Sequence, residues 1–265
     1  MKYKSQYGQD KFLNEFVFKN KTNCSFLDVG ANDGITLSNT YYFEKELEWS
    51  GKCFEPNPNI FNKLVLNRNC ECFKVCLGDR IDKVKFTIFK EKDERDSSWI
   101  NMLSGISEYF TVEYLKTISD KADIFQEIDV ELKPLVYFLE NGEVEYLSID
   151  TEGSEYEVLN GINFDKLFIH VISLEKNLSF EQCKKYLYKK KFVILKELGH
   201  EEIIFINRKS KYLSIPLILS ILITYIKIYI KHTYRVFPSS YRQKLLSIKL
   251  IRKVKEYIFD RKVYK

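Results

Sequence analysis

The segment Cys24-Ser-Phe-Leu-Asp-Val-Gly30 is an apolar run that stops at a glycine, and it constrains the fold more than any other stretch. Such a run reads as a strand buried on both faces, and strands of that kind belong to parallel sheets covered by helices. Further runs repeat the signal: Gly51–Phe54, Cys72–Leu77, Val84–Phe89, Glu127–Leu132, Val144–Ile149 and Phe168–Leu174, with Phe192–Leu195 and Ile203–Ile206 as a closing strand pair. Helical spacing falls between them, at Lys11–Phe18, Ile35–Leu47, Asn59–Asn67, Pro134–Glu140, from Glu155, and at Phe180–Lys189. Strands alternating with helices predict an α/β fold, a Rossmann-like, mostly parallel sheet with helices on both faces. The 265 residues are 45% apolar, enough to fill such a core.

Ligands of an open α/β sheet sit at the carboxyl ends of its strands, near the point where strand order reverses. The first strand ends in Phe26-Leu-Asp-Val-Gly-Ala-Asn-Asp-Gly34, a D-x-G-x-x-x-G pattern on Asp28, Gly30 and Gly34. The dinucleotide fingerprint G-x-G-x-x-G is missing, which disfavours a pyrophosphate cradle and hydride transfer. S-adenosylmethionine has no phosphate and carries an ammonium, a sulfonium, a carboxylate and a ribose, so an acid at the strand end suits it. The bland reading is a tight turn with a capping Asp. Glu55 ends the second strand 21 residues beyond Gly34, where a carboxylate can accept from both ribose hydroxyls. Asp79, after the third run, is expected at the adenine end of the pocket or else in a plain turn.

The most specific segment is Tyr146-Leu-Ser-Ile-Asp-Thr-Glu-Gly-Ser-Glu-Tyr-Glu-Val-Leu-Asn-Gly161. Together with FLDVGANDG, FEPNP and Ser5-Gln-Tyr-Gly-Gln-Asp10, it resembles the FkbM family of methyltransferases over residues 5–206. The resemblance implies the class I methyltransferase fold, S-adenosylmethionine as donor, and methylation of a hydroxyl oxygen, often on a sugar, glycan or glycolipid precursor. It also implies that Asp28, Gly30, Asn32, Glu55 and Asp79 surround the cofactor, with Gln9 and Asp10 closing over it. Asp150 and Glu152 are the candidate catalytic residues, one of them orienting or deprotonating the acceptor. Asp150 could instead touch the cofactor's amino acid moiety. Asp150, Glu152 and Glu175 could also hold a divalent cation, but no His spacing supports one and no metal is assigned. His170 and His200 read as core or surface histidines. Segment 93–128 is expected to shape the acceptor pocket. An Asn/Asp-Pro-Pro-aromatic clamp is missing at Asp150, which disfavours nucleic acid as substrate.

The net charge of +5 hides an asymmetry. Residues 209–265 hold 14 Lys and Arg against 2 Asp and Glu, a net of +12, which leaves the body at −7. The expected division is a methyltransferase domain over 1–208 and a basic, apolar helical tail over 209–265. Tyr212–Ile226 is uncharged for 15 residues, short of a span. Leu246, Leu250, Val254 and Ile258 mark one face of a basic amphipathic helix. Attachment to an anionic membrane surface through 212–262, a helical cap packed on the body, and a span all fit. The alternative function is accordingly a non-catalytic, membrane-attached binding protein on the same fold, though intact Asp28, Gly30, Glu55, Asp150 and Glu152 argue against a decayed site. Scattered cysteines and the polar start, Met1 to Lys11, point to a reduced, cytoplasmic protein. Cys70, Cys72 and Cys76 lack the C-x-x-C spacing of a metal site.

Overall fold

The computed structural model describes residues 2–91, 100–119, 122–177, 179–199, 201–214, 217–219, 221–222 and 224. Two compact units divide at Leu213 and Ser214. Of the second, Ser214 and the helical residues 217–219, 221, 222 and 224 are described, so the amphipathic face at 246–258 lies outside the described residues, as does His200. Among the described residues, no helix is long and apolar enough to cross a membrane.

In the first unit, the apolar runs pair as a seven-stranded sheet. Its members are β1 (Ser25–Val29), β2 (Ser50–Phe54), β3 (Glu71–Phe73), β8 (Gly142–Ile149), β9 (Leu167–Glu175), β10 (Phe192–Leu198) and β11 (Glu202–Asn207). Across the sheet the order is β3-β2-β1-β8-β9-β11-β10. Only β11 runs against its neighbours β9 and β10. Order reverses between β1 and β8, which run parallel with Asp28 opposite Ser148. Right-handed crossovers therefore place α2 (Tyr41–Leu47) and α3 (Pro58–Asn67) on one face, and α5 (Glu155–Asn160) and α6 (Phe180–Lys189) on the other. This is the Rossmann-like fold of the class I methyltransferases. Tyr146 illustrates the core: it is fully buried, and its hydroxyl meets Ser173 Oγ at 2.8 Å, so the polar tip is not left unpaired.

Several expectations need correction. The expected strand Cys72–Leu77 is two strands. β3 pairs with β2, but after Lys74-Val75 the chain changes sheets, and β4 (Cys76–Leu77) pairs with β7 (Ala122–Lys133). The expected strands at Val84–Phe89 and Glu127–Leu132 do not join the main sheet either. They form a second, four-stranded sheet with order β4-β7-β5-β6, where β5 is Asp82–Glu91 and β6 is Gly105–Ile106. Alternation explains this: Val84, Phe86, Ile88, Val130 and Leu132 pack into one apolar cluster, while the intervening residues are polar. One-sided burial suits an antiparallel sheet. Finally, the helix expected from Ile35 begins only at Tyr41. Asp33 Oδ1 accepts from the N–H of Ile35 (2.9 Å) and Thr36 (2.7 Å), and Leu37 has φ +55°, so the chain turns here instead of coiling. Shorter still is the segment after Pro134, a 3₁₀ turn at Leu135–Tyr137, and the first helix is α1 (Gln9–Phe12) followed by π-helical Leu13–Phe18.

Candidate active site

A cavity of about 460 Å³ opens at the carboxyl ends of β1, β2, β8 and β9. Its size falls in the usual range for small-molecule sites. Gln9, Asp28, Gly30, Asn32, Glu55, Asp150 and Glu152 all line it. Two residues expected around the cofactor do not, Asp79 and Asp10. Asp79 follows β4, which has left the main sheet, and its carboxylate accepts from Asn160 Nδ2 (3.0 Å). The apolar wall that it was expected to face is built by Val75, Cys76, Leu77 and Phe86. Asp10 is fully buried and accepts from the backbone N–H of Lys4 (2.6 Å), Ser5 (3.1 Å) and Lys11 (2.7 Å). It ties the amino-terminal turn to itself.

Gly30 has φ +81°, and a Cβ there would lie 1.7 Å from the backbone oxygen of Asp150. The loops after β1 and β8 are pressed together at a point where only glycine fits. Asp150 N donates to Val29 O (3.0 Å), and Gly30 N to Phe54 O (3.0 Å), so three strand ends are fixed to one another.

Glu55 is buried, and both its oxygens are oriented by backbone donors: Asn32 N (3.0 Å) and Asn57 N (2.8 Å). Asn32 reaches it from a left-handed turn with φ +48°. Burial raises the Glu55 pKa to about 7, against the pull of the two N–H groups. Each carboxylate oxygen keeps acceptor capacity for a hydroxyl. Asn57 also caps α3 through its side chain, at 3.1 Å from Asn59 N.

Asp28 is held differently. Its Oδ2 accepts from Thr40 Oγ1 (2.5 Å) and lies 3.7 Å from the Arg68 guanidinium. Arg68 has a fully buried side chain, is bound to Glu44, and donates to Thr40 Oγ1 (2.9 Å). Burial pushes Asp28 up, and Arg68 opposes it. Burial likewise works against Glu44, but Arg68 and the Asn69 N–H outweigh it and hold that carboxyl low. Arg68, Thr40 and Glu44 carry no sequence signal, because the contacts span 24 and 28 residues.

The D-x-E-G-x-E element divides its acids between two tasks. Glu155 is fully buried and accepts from Thr151 N, Thr151 Oγ1 and Gly153 N, each at 3.1 Å, and from Asn177 and Ser179. It clamps the turn. Glu152, at φ +56°, receives only the Tyr114 hydroxyl (3.1 Å) among the described residues. Asp150 is exposed and lies on the wall of the cavity. Oxygens of Asp150, Glu152 and Glu175 lie within 4.8 Å of one another. Desolvation by the cavity walls and mutual repulsion push all three carboxyls well above the usual range. Glu201 and Glu202 extend this acidic wall, and neither was assigned a role from sequence. From segment 93–128, Met102, Leu103, Ser104, Ile106 and Tyr114 complete the lining. His170 is away from the cavity, bonded to Ser210 Oγ (2.9 Å) and Glu143 (2.8 Å).

An S-adenosyl cofactor fits this donor set. Asn39 borders the cavity and is 8% exposed, with Nδ2 on Ser148 Oγ (3.0 Å), while its Oδ1 is buried without a hydrogen-bond partner. A buried acceptor left open in a cavity matches an ammonium donor.

Among solved structures, the chain is similar to the methyltransferase FkbM of Methylobacillus flagellatus KT, at 12% identity and a TM-score of 0.43, covering 71% of this chain and 44% of that one. It thus spans less than half the length of that protein. It is similar also to a TehB-like SAM-dependent methyltransferase of Corynebacterium glutamicum (9% identity, TM-score 0.40, 77% and 89% covered). A methyltransferase of Pyrococcus furiosus gives 12% identity and a TM-score of 0.36, with 74% and 79% covered. No curated protein matches the sequence. The methyltransferase FkbM domain matches residues 28–207, most of the chain and every strand of the main sheet except the first three residues of β1, and the protein belongs to the FkbM methyltransferase family.

Proposed function

We propose that the protein is an S-adenosylmethionine-dependent O-methyltransferase acting on a hydroxyl of a sugar, glycan or glycolipid precursor. The observation that carries the reading is Glu55: a buried carboxylate at the end of β2, aimed by two backbone N–H groups and facing the cavity, with no cation on it among the described residues. That is the arrangement that accepts a pair of ribose hydroxyls. When bound, the cofactor supplies a methyl carbon attached to a positively charged sulfur.

The residues then divide the work. Glu55 accepts from the ribose, and Asn39 Oδ1 and one oxygen of Asp28 face the amino acid moiety. Gly30 and Asn32 bring backbone close to the ligand, and Gln9 closes over it. Apolar Val75, Leu77 and Phe86 face the adenine. Asp150 and Glu152 would hold the acceptor hydroxyl toward the methyl group, and one would take its proton. A sugar hydroxyl is a poor nucleophile, so a carboxylate with a raised pKa is better matched to it than an ordinary one.

The test is transfer of an isotopically labelled methyl group from the cofactor to a panel of oligosaccharides, with the product linkage read by mass spectrometry. Methyl ethers are expected. Label found only on amines or carboxylates would reject the O-methylation reading.

A further inference from the structure

We propose that Asp150, Glu152 and Glu175 hold one hard divalent cation of the magnesium, manganese or calcium class, against which the acceptor hydroxyl is bound. The ion site stands on its own geometry, whereas the role toward the hydroxyl rests on the O-methyl transfer proposed above.

The three carboxylates come from separate points of backbone: the end of β8, the left-handed turn after it, and the end of β9. Their oxygens lie within 4.8 Å of one another. Ligands on one ion, at about 2.0–2.6 Å each, are separated by about 5 Å at most. An all-oxygen set selects hard cations over zinc or copper. Among the described residues, Asp150 and Glu175 accept no side-chain or backbone hydrogen bond, in contrast to Glu155 in the same motif.

A second observation is independent of this triad. Glu202 lies opposite Glu175 in the β9–β11 pairing, borders the same cavity and is 5% exposed. Gln9 bonds its carboxylate, but Oε2 is buried with no partner. A carboxylate kept that deep without a countercharge is costly and marks a missing positive group. No Lys, Arg or His lines the cavity among the described residues. A divalent ion would take the place of the protons that repulsion keeps on these carboxyls, and it would lower the pKa of a bound hydroxyl.

The molecule contains its own control. Glu143, Glu145 and His170 meet the same distance condition. There Lys211 Nζ already binds both carboxylates, and Ser25 donates to Glu145. That group has its cation and offers no site.

The experiment is a Mn²⁺ titration of the full chain, free ion followed by electron paramagnetic resonance, with Mg²⁺ as competitor. One ion per chain is expected, weakened about tenfold or more by Glu175→Gln and by Glu152→Gln, and unchanged by Glu143→Gln. S-adenosylhomocysteine titrated into the same variants reports on the pocket. No Mn²⁺ uptake at millimolar concentration by protein that binds S-adenosylhomocysteine would overturn the ion site and leave the cofactor reading standing. Uptake that survives both substitutions would overturn the ion site equally. Site-dependent Mn²⁺ uptake without S-adenosylhomocysteine binding would keep the ion site and remove its role in methyl transfer.

Discussion

Where β1 meets the turn before α2, two acids are buried and both are answered: Arg68 lies between Asp28 and Glu44, Thr40 bonds the Asp28 oxygen that faces Arg68, and the Asn69 N–H takes the second oxygen of Glu44. Around the ends of β8 and β9, five acids border the same cavity, and among the described residues no Lys, Arg or His lines it. The first pair is buried, whereas Asp150 is exposed and Glu152 and Glu175 are half-buried, so the groups differ in burial as well as in compensation. The first group has its cation within the chain and braces the loops that carry Gly30 and Glu55. The second leaves acceptor capacity directed at whatever enters. A buried ion pair is weak evidence for stability but strong evidence that neither partner is free, whereas uncompensated carboxylates in a cavity point to chemistry.

This contrast breaks most easily at Arg68. Arg68→Met should destabilise the fold by about 3–5 kcal/mol, because Asp28 and Glu44 would be left buried without a cation. Urea unfolding measures it, and a loss under about 1 kcal/mol would mean that the network is not the brace described. Gly30→Ala should follow at about 2–4 kcal/mol, from the left-handed backbone and the contact with Asp150 O.

Opposite signs sharpen the contrast further. Glu44→Gln removes a compensated charge and should lower stability. Glu175→Gln removes a carboxyl whose ionised form the fold disfavours and should raise the stability of the ligand-free protein at pH 8 by about 1 kcal/mol or less. Two losses of equal size would erase the distinction between the groups.

The pH dependence follows the same logic. In the fold Glu55 keeps its proton up to about pH 7, while in the unfolded chain it ionises near its ordinary value of 4.5. Between these values the native state binds more protons, so the Glu55 contribution is greatest at low pH and declines as pH rises through about 7. Melting temperature scanned from pH 5 to 8 should fall, and Glu55→Gln should flatten the fall. The smallest effect belongs to Asp79→Asn, which should stay within about 0.5 kcal/mol and leave cofactor binding untouched.

Much of the site could be read from sequence because it hangs on strand ends. Asp28, Gly30, Glu55, Asp150 and Glu152 each close or follow an apolar run, and local periodicity finds such places. Asp79 shows the limit. Residues Cys72–Leu77 look like one strand, but pairing partners 50 or more residues away pull Cys76 and Leu77 into another sheet; these two still line the cavity, while Asp79 in the next turn does not. Ile35–Leu47 has helical spacing, yet the Asp33 side chain captures the N–H groups that would start the helix, and the resulting loop brings Asn39 to the cavity. Glu155 stands in the most specific motif of the chain, but its spacing does not reveal that it clamps a turn. Arg68 sits at the end of a helix with nothing nearby to mark it, since its partners come from other loops.

Calorimetric titration with S-adenosylhomocysteine, on the parent protein, Glu55→Ala and Asp79→Asn, with circular dichroism confirming the fold of each, bears most directly on the cofactor assignment. One site per chain is expected, weakened about tenfold or more by Glu55→Ala and unaltered by Asp79→Asn. Folded parent protein that takes up no ligand, or binding that Glu55→Ala leaves intact, would contradict the assignment of this cavity to the cofactor.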